Sequence, residues 1–123
     1  MNHEEAFDFA YKHGPSDKTR KIVYQDSLCA LYYARNIDKC PREDTRKAVC
    51  QYSGYAYWYA KEVDMCPHEE TRKAACKDSL YAYLYTKEID KCFREDTWMT
   101  VKGTEYEEKY KRILKKLVKE QII

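Results

Sequence analysis

A 26-residue period constrains this chain more than any other feature. Thr19-Arg20-Lys21 returns as Thr45-Arg46-Lys47 and as Thr71-Arg72-Lys73. Asp38-Lys39-Cys40-Pro41 returns as Asp64-Met65-Cys66-Pro67 and as Asp90-Lys91-Cys92-Phe93. Residues 45–70 align with 71–96 without a gap, at 15 identical positions in 26. Self-similarity at such a period marks a stacked-repeat architecture, in which one unit cannot bury its own apolar face and neighbours complete the core. The units run 19–44, 45–70 and 71–96. Upstream, His13-Gly14-Pro15 stands where the Cys-Pro turn belongs, so residues 1–18 read as a half repeat and cap. Downstream, Thr97 restarts the unit and the following residues lose the pattern, so 97–123 read as a C-terminal cap.

Within a unit the apolar spacing is helical. Ala56, Tyr59, Ala60 and Val63 fall at i, i+3, i+4 and i+7, as do Ala30, Tyr33, Ala34, Ile37 and Ala82, Tyr85, Thr86, Ile89. Ser27, Ser53 and Ser79 precede these segments and suit an N-cap. We call this segment the B helix. The shorter segment from Pro41 to Gln51 is the A helix: a proline followed by Glu43 and Asp44 is a helix-start signal, and Thr45, Ala48 and Val49 give a narrow inner face. The fold class expected is all-α, a short α-solenoid of stacked αα-hairpins forming one domain over residues 1–123. Thr104 to Ile123 reads as a C-terminal amphipathic capping helix, with Tyr106, Tyr110, Ile113, Leu114, Leu117 and Val118 as its apolar stripe, acids early and bases late.

A helical wheel at 100° per residue splits B into three surfaces. The stripe just named faces the core, Tyr55 and Tyr57 flank it where neighbouring B helices pack, and Gly54, Trp58, Lys61 and Glu62 form the back. An ordinary surface helix is polar opposite its core. Here the back keeps a large apolar residue in every unit, Tyr32, Trp58 and Leu84, each followed by a long cation, Arg35, Lys61 and Lys87. An apolar strip edged with cations has the makeup of a protein-binding hot spot. Cover by another segment of the chain, or burial in a homodimer, would account for the same strip. The Arg20, Arg46, Arg72 ladder on the A helices is expected to be a solvated face, since Glu43, Asp44, Glu69 and Glu70 sit one turn earlier and can pair along the helix.

Composition narrows function by exclusion. With 23 basic and 21 acidic residues and a net charge of +2, the chain lacks the basic excess of a phosphate-driven nucleic-acid binder. It has no apolar run of about 20 residues to span a bilayer and no apolar signal core after Met1, which makes a cytoplasmic location the expectation. Thirteen tyrosines must fill a core, line a face, or both. Cys40, Cys66 and Cys92 occupy one register position, Cys50 and Cys76 a second, and Cys29 neither, its equivalents being Tyr55 and Tyr81. Reduced, half-buried thiols are expected, with Cys50–Cys66 and Cys76–Cys92 the pairings a disulfide could take. No Cys-x-x-Cys knuckle signals zinc. The three histidines, His3, His13 and His68, fall in the tail and turns; the nearest approach to a dyad is His68 beside Cys66. No catalytic residue, metal or cofactor is assigned, and the chain reads as a non-enzyme.

The pattern Asp-x-Cys-Pro-x-Glu-Asp-Thr-Arg-Lys-Ala-x-Cys-x-x-Ser-x-Tyr-Ala-Tyr-x-Tyr-Ala, carried by Asp38 to Ala60 and Asp64 to Tyr85, resembles short helical repeats of unknown function found in phages, giant viruses and some bacteria. The resemblance implies a viral or phage origin, a location in the host cytoplasm, a role in contacting another protein and, by analogy, inhibition of a host defence protein. Phe93 in the proline position and the lost pattern after Thr97 depart from it. The functional expectation is a protein-binding module that uses Tyr32, Arg35, Trp58, Lys61, Leu84 and Lys87. The alternatives are a scaffold that dimerises through the same face, or a weak nucleic-acid binder using the arginine ladder.

Overall fold

The computed structural model describes residues 1–122 and is all-helical over them. A lone first helix, α1 (His3–His13), is followed by four hairpins. The A helices are α2 (Asp17–Val23), α4 (Glu43–Val49), α6 (Glu69–Ala75) and α8 (Glu95–Val101). The B helices are α3 (Ser27–Tyr33), α5 (Ser53–Tyr59) and α7 (Ser79–Tyr85), and α9 (Glu107–Ile122) closes the array. B helices pack on B helices (α1 on α3, α3 on α5, α5 on α7), and α4 packs on α6, which makes a two-layer stack. Ile123, the expected end of the C-terminal helix, lies outside the described residues. None of the described helices is long and apolar enough to cross a membrane.

Each A helix is only seven residues long, and isolated helices under about 12 residues are marginal in water. What holds it is the B helix that follows. Tyr59 is fully buried, and its hydroxyl lies 2.9 Å from Thr45 Oγ1 and 3.0 Å from both the N–H and the carbonyl oxygen of Arg42, the N-cap of α4. Arg42 makes no side-chain cap of its own, so a tyrosine from the partner helix satisfies the orphan donor at the helix start. Tyr85 does the same for His68 and Thr71, and Tyr33 for Ser16 and Thr19. Burial pushes the Tyr59 and Tyr85 hydroxyls above their usual pKa, so both stay protonated donors.

One residue after each clamping threonine, an arginine makes a second tie. Arg46 donates through Nε and Nη2 to the two oxygens of Asp64 at 3.0 and 2.7 Å, and the Asp64 side chain is fully buried. Arg20–Asp38 and Arg72–Asp90 repeat this bidentate pair. The carboxylate hydrogen bond pushes each arginine's pKa further up. The expected solvated ladder is therefore corrected. Lys47–Glu43 and Lys73–Glu69 do pair along the helix, but the arginines reach 18 residues ahead.

A change of winding brings those aspartates round. After Tyr33, Tyr59 and Tyr85 the B helices continue as π-helical turns, Ala34–Asp38, Ala60–Asp64 and Thr86–Asp90. In an α-helix, residues five apart lie about 140° apart around the axis. In the wider turn closed by i→i+5 bonds they come much closer to one side, and Tyr59 and Asp64 both reach the same A helix. Lys39, Met65 and Lys91 end these turns in the left-handed conformation, with φ of 53–55°. Their N–H groups bond back to Ala34, Ala60 and Thr86 at 2.8–2.9 Å.

The core stripe Ala56, Tyr59, Ala60, Val63 is buried as expected. Several boundaries shift. Asp26, Tyr52 and Asp78 are the N-caps, not the serines after them; Ser27 is buried and donates to Ala48 O of the next unit at 2.8 Å. Pro41 precedes the Arg42 cap instead of opening α4. Gly54 does not sit on an open back: a Cβ there would stand 3.0 Å from the Tyr81 hydroxyl. The C-terminal cap keeps more of the repeat than its sequence suggests, since Tyr110 of α9 clamps Thr97 at 2.9 Å and Arg94 O at 3.3 Å. Trp98 stands where the arginine belongs and packs against Tyr110. Val118, expected in the apolar stripe, is exposed.

Arg46→Ala, which strands a buried carboxylate, is expected to cost about 3 kcal/mol in urea unfolding. Lys47→Ala, which removes only a surface pair, should cost under about 1 kcal/mol. Tyr59→Phe should cost about 1–3 kcal/mol by orphaning its partners, whereas Tyr52→Phe at an exposed ring should cost nothing measurable.

Candidate functional site

The outward side of α3 and α5 forms a groove of about 320 Å³ lined by Leu28, Leu31, Tyr32, Arg35, Tyr55, Trp58 and Glu62. Its walls rise from two neighbouring B helices, so the groove exists only once hairpins stack. Tyr32 and Trp58 are each 40% exposed, which is unusual for large rings on adjacent helices. Arg35 lies 5.0 Å from the centre of the Tyr32 ring and reaches across to Glu62 at 3.2 Å. Lys61 lies 5.2 Å from the Trp58 ring and 5.9 Å from that of Tyr57. A cation over a ring face contributes about 0.5–1 kcal/mol at an exposed site, which favours these orientations of the exposed aromatic surface. Lys61 has no ion pair among the described residues.

Of the six residues expected here, Tyr32, Arg35 and Trp58 line the groove, and Lys61 sits over the Trp58 ring while lining a neighbouring depression with Met65, Cys66 and Glu88. Leu84 does not continue the strip as an open rung: it is partly buried against the cluster of Tyr57, Ala60, Ala75, Tyr85 and Ile89. Lys87 faces α9, sharing a separate groove with Tyr83, Lys109, Arg112, Ile113 and Lys116. For Lys87 the reason is the cap, since α9 packs on α8 and on the last π-helical turn, with Tyr106 stacked on Tyr83 at 5.9 Å. The residues that a sequence reading omits are Leu28, Leu31, Tyr55 and Glu62. The available signal was charge: Glu62 stands one period plus one residue after Arg35, on the adjoining helix.

The other surfaces offer less. A wide depression near α4 is lined by Arg42, Glu43, Asp44 and Lys47, whose charges satisfy one another through Arg42–Asp44 at 3.0 Å and Lys47–Glu43 at 3.5 Å. Arg20, Arg46 and Arg72 have side chains only 11–13% exposed and are committed to aspartates. His68 lies 3.7 Å from Asp64, not against a thiol. All six cysteines are free thiols. Cys50 and Cys76 are half-buried, and burial pushes each thiol up to about 11. One further constellation appears: His3, Asp26 and Cys29 bring a nitrogen, an oxygen and a sulfur within 4.8 Å of one another.

Alkylation by iodoacetamide at pH 8 should label the exposed Cys40 and Cys66 first, with Cys50 and Cys76 slowest, because the thiolate is the nucleophile. Raising the pH from 8 towards 11 should narrow the gap, as the half-buried thiols ionise only near the top of that range; peptide mass mapping over time reads both rates.

Comparison of the chain with protein-family models, with curated proteins and with solved structures finds no match.

Proposed function

We propose that this chain is a non-catalytic protein-binding repeat module that seats an apolar side chain of its partner between Tyr32 and Trp58. The observation that carries the reading is the stacked groove itself: two exposed aromatic rings, each braced by a cation, over a floor of Leu28 and Leu31. Rigid aromatics contribute large contact area at low conformational cost. Lys61, lacking an ion pair, favours a carboxylate on the partner beside the inserted side chain, whereas Arg35 is already balanced by Glu62. The sequence resemblance to phage and viral repeats adds origin and setting to this reading: a viral protein in the host cytoplasm whose binding blocks a host defence protein. Nucleic-acid binding through Arg20, Arg46 and Arg72 is disfavoured, since those guanidinium groups already serve buried carboxylates.

Selection from a displayed peptide library tests the groove directly. The wild type is expected to enrich a motif with one aromatic or aliphatic residue next to an acid. Trp58→Glu, folded by circular dichroism, should bind that motif at least about thirtyfold more weakly, the size of a hot-spot loss. Light scattering over a concentration series accompanies it, with a constant monomer mass expected. A dimer that Trp58→Glu dissociates would mean the groove serves self-association, and would overturn the reading.

A further inference from the structure

We propose that His3, Asp26 and Cys29 form a zinc site that fastens the first helix to the first hairpin. Their ligand atoms lie within 4.8 Å of one another, and tetrahedral zinc with bonds of about 2.0–2.3 Å separates its ligands by roughly 3.3–3.8 Å. Small side-chain rotations therefore close the set around one ion. The donors are an imidazole, a carboxylate and a thiol, a combination that suits zinc over the hard cations calcium and magnesium.

The local build supports a ligand role for each residue. Asp26 is the N-cap of α3, and its Oδ1 accepts the Cys29 amide at 3.0 Å, which fixes the carboxylate beside the thiol. Cys29 departs from the repeat. The register position is tyrosine in the next two units, where Tyr55 packs edge-on against Tyr52 at 5.4 Å and Tyr81 packs on Tyr57 at 5.9 Å. Cysteine in that place gives up the ring packing, and His3, one 26-residue period earlier, brings its imidazole within 4.8 Å of the sulfur. Both His3 and Cys29 are half-buried.

The position gives such a site something to hold. Among the described residues, no tyrosine-hydroxyl clamp or arginine–aspartate pair of the kind in the later hairpins reaches α1. Its packing rests on Ala6, Ala10 and Phe7 against Val23 and Tyr33. Zinc would link its first turn to the first turn of α3. On binding, the Cys29 S–H bond breaks, its proton passes to solvent, and the sulfur lone pair forms the Zn–S bond. Three protein ligands leave the fourth position to water.

The test is cobalt(II) titration of the reduced, untagged chain, followed by zinc competition. Saturation at one equivalent with a thiolate-to-cobalt band in the near ultraviolet is expected, displaced by zinc, with a rise in Tm on zinc addition. Cys29→Ser should abolish the band, and Cys66→Ser should leave it intact. His3→Gln and Asp26→Asn should each weaken binding at least about tenfold; asparagine caps a helix as well as aspartate, so the second variant keeps the fold and removes only the ligand. A band that survives Cys29→Ser, wild-type affinity in the His3 and Asp26 variants, or no saturation at one equivalent would overturn the proposal.

Discussion

A helix of seven residues closes too few of its own hydrogen bonds to persist in water, and four such helices carry the A layer of this array. The structure rests on how they are held. A buried tyrosine hydroxyl from the next helix meets the threonine and the first backbone groups of each one, and an arginine–aspartate pair ties its middle to the end of the same partner. The hydroxyl supplies the missing cap, and the ion pair fixes the rotation of one helix against the other. Burying charge is worthwhile here because both carboxylate oxygens are matched by the arginine fork. In the last hairpin the two ties separate. Thr97 and Tyr110 keep the hydroxyl contact while Trp98 replaces the arginine, so the array ends where the ion pair is dropped and the cap retained.

Pinning each B helix along one side leaves the opposite side free to vary. Positions 32 and 58 carry Tyr and Trp, both exposed, and no clamp depends on them. A stack built this way can alter its outer surface without disturbing its core. It also makes the groove between Tyr32 and Trp58 a property of stacking, with each wall belonging to a different repeat. The ends obey other rules. α9 covers the last hairpin and shares a groove with Lys87, while α1 meets the first hairpin with Ala6, Ala10, Phe7 and the His3, Asp26, Cys29 cluster.

Much of this was legible in the chain. The period defines the hairpins, the i, i+3, i+4, i+7 stripe names the buried face, and the helical wheel puts Tyr32, Arg35, Trp58, Lys61, Leu84 and Lys87 on one outward surface, from which Leu84 and Lys87 depart in the structure. The partners of the arginines were not legible, because the wheel turned at a constant 100° per residue. On that wheel Asp64 lies about 140° from Tyr59. Local acids four residues away offered a sufficient account of Arg46, and nothing in the spacing argued against it. The Ser27, Ser53 and Ser79 caps were missed by a single residue for a related reason: serine suits a cap wherever it stands, and only the chain path shows that the residue before it holds the position.

By itself, then, the sequence determined the all-helical repeat, its unit length, its buried stripe and the points where the pattern stops, since each follows from periodicity along one chain. Only the tertiary structure decided what lies across a gap between helices. The π-helical turn that swings Asp38, Asp64 and Asp90 onto the A helices, the pairing of Arg35 with Glu62, and the meeting of His3 with Cys29 all depend on that packing. Spacing in sequence records the face a residue shares with its own helix, whereas partners 18 to 27 residues away are set by how neighbouring helices dock.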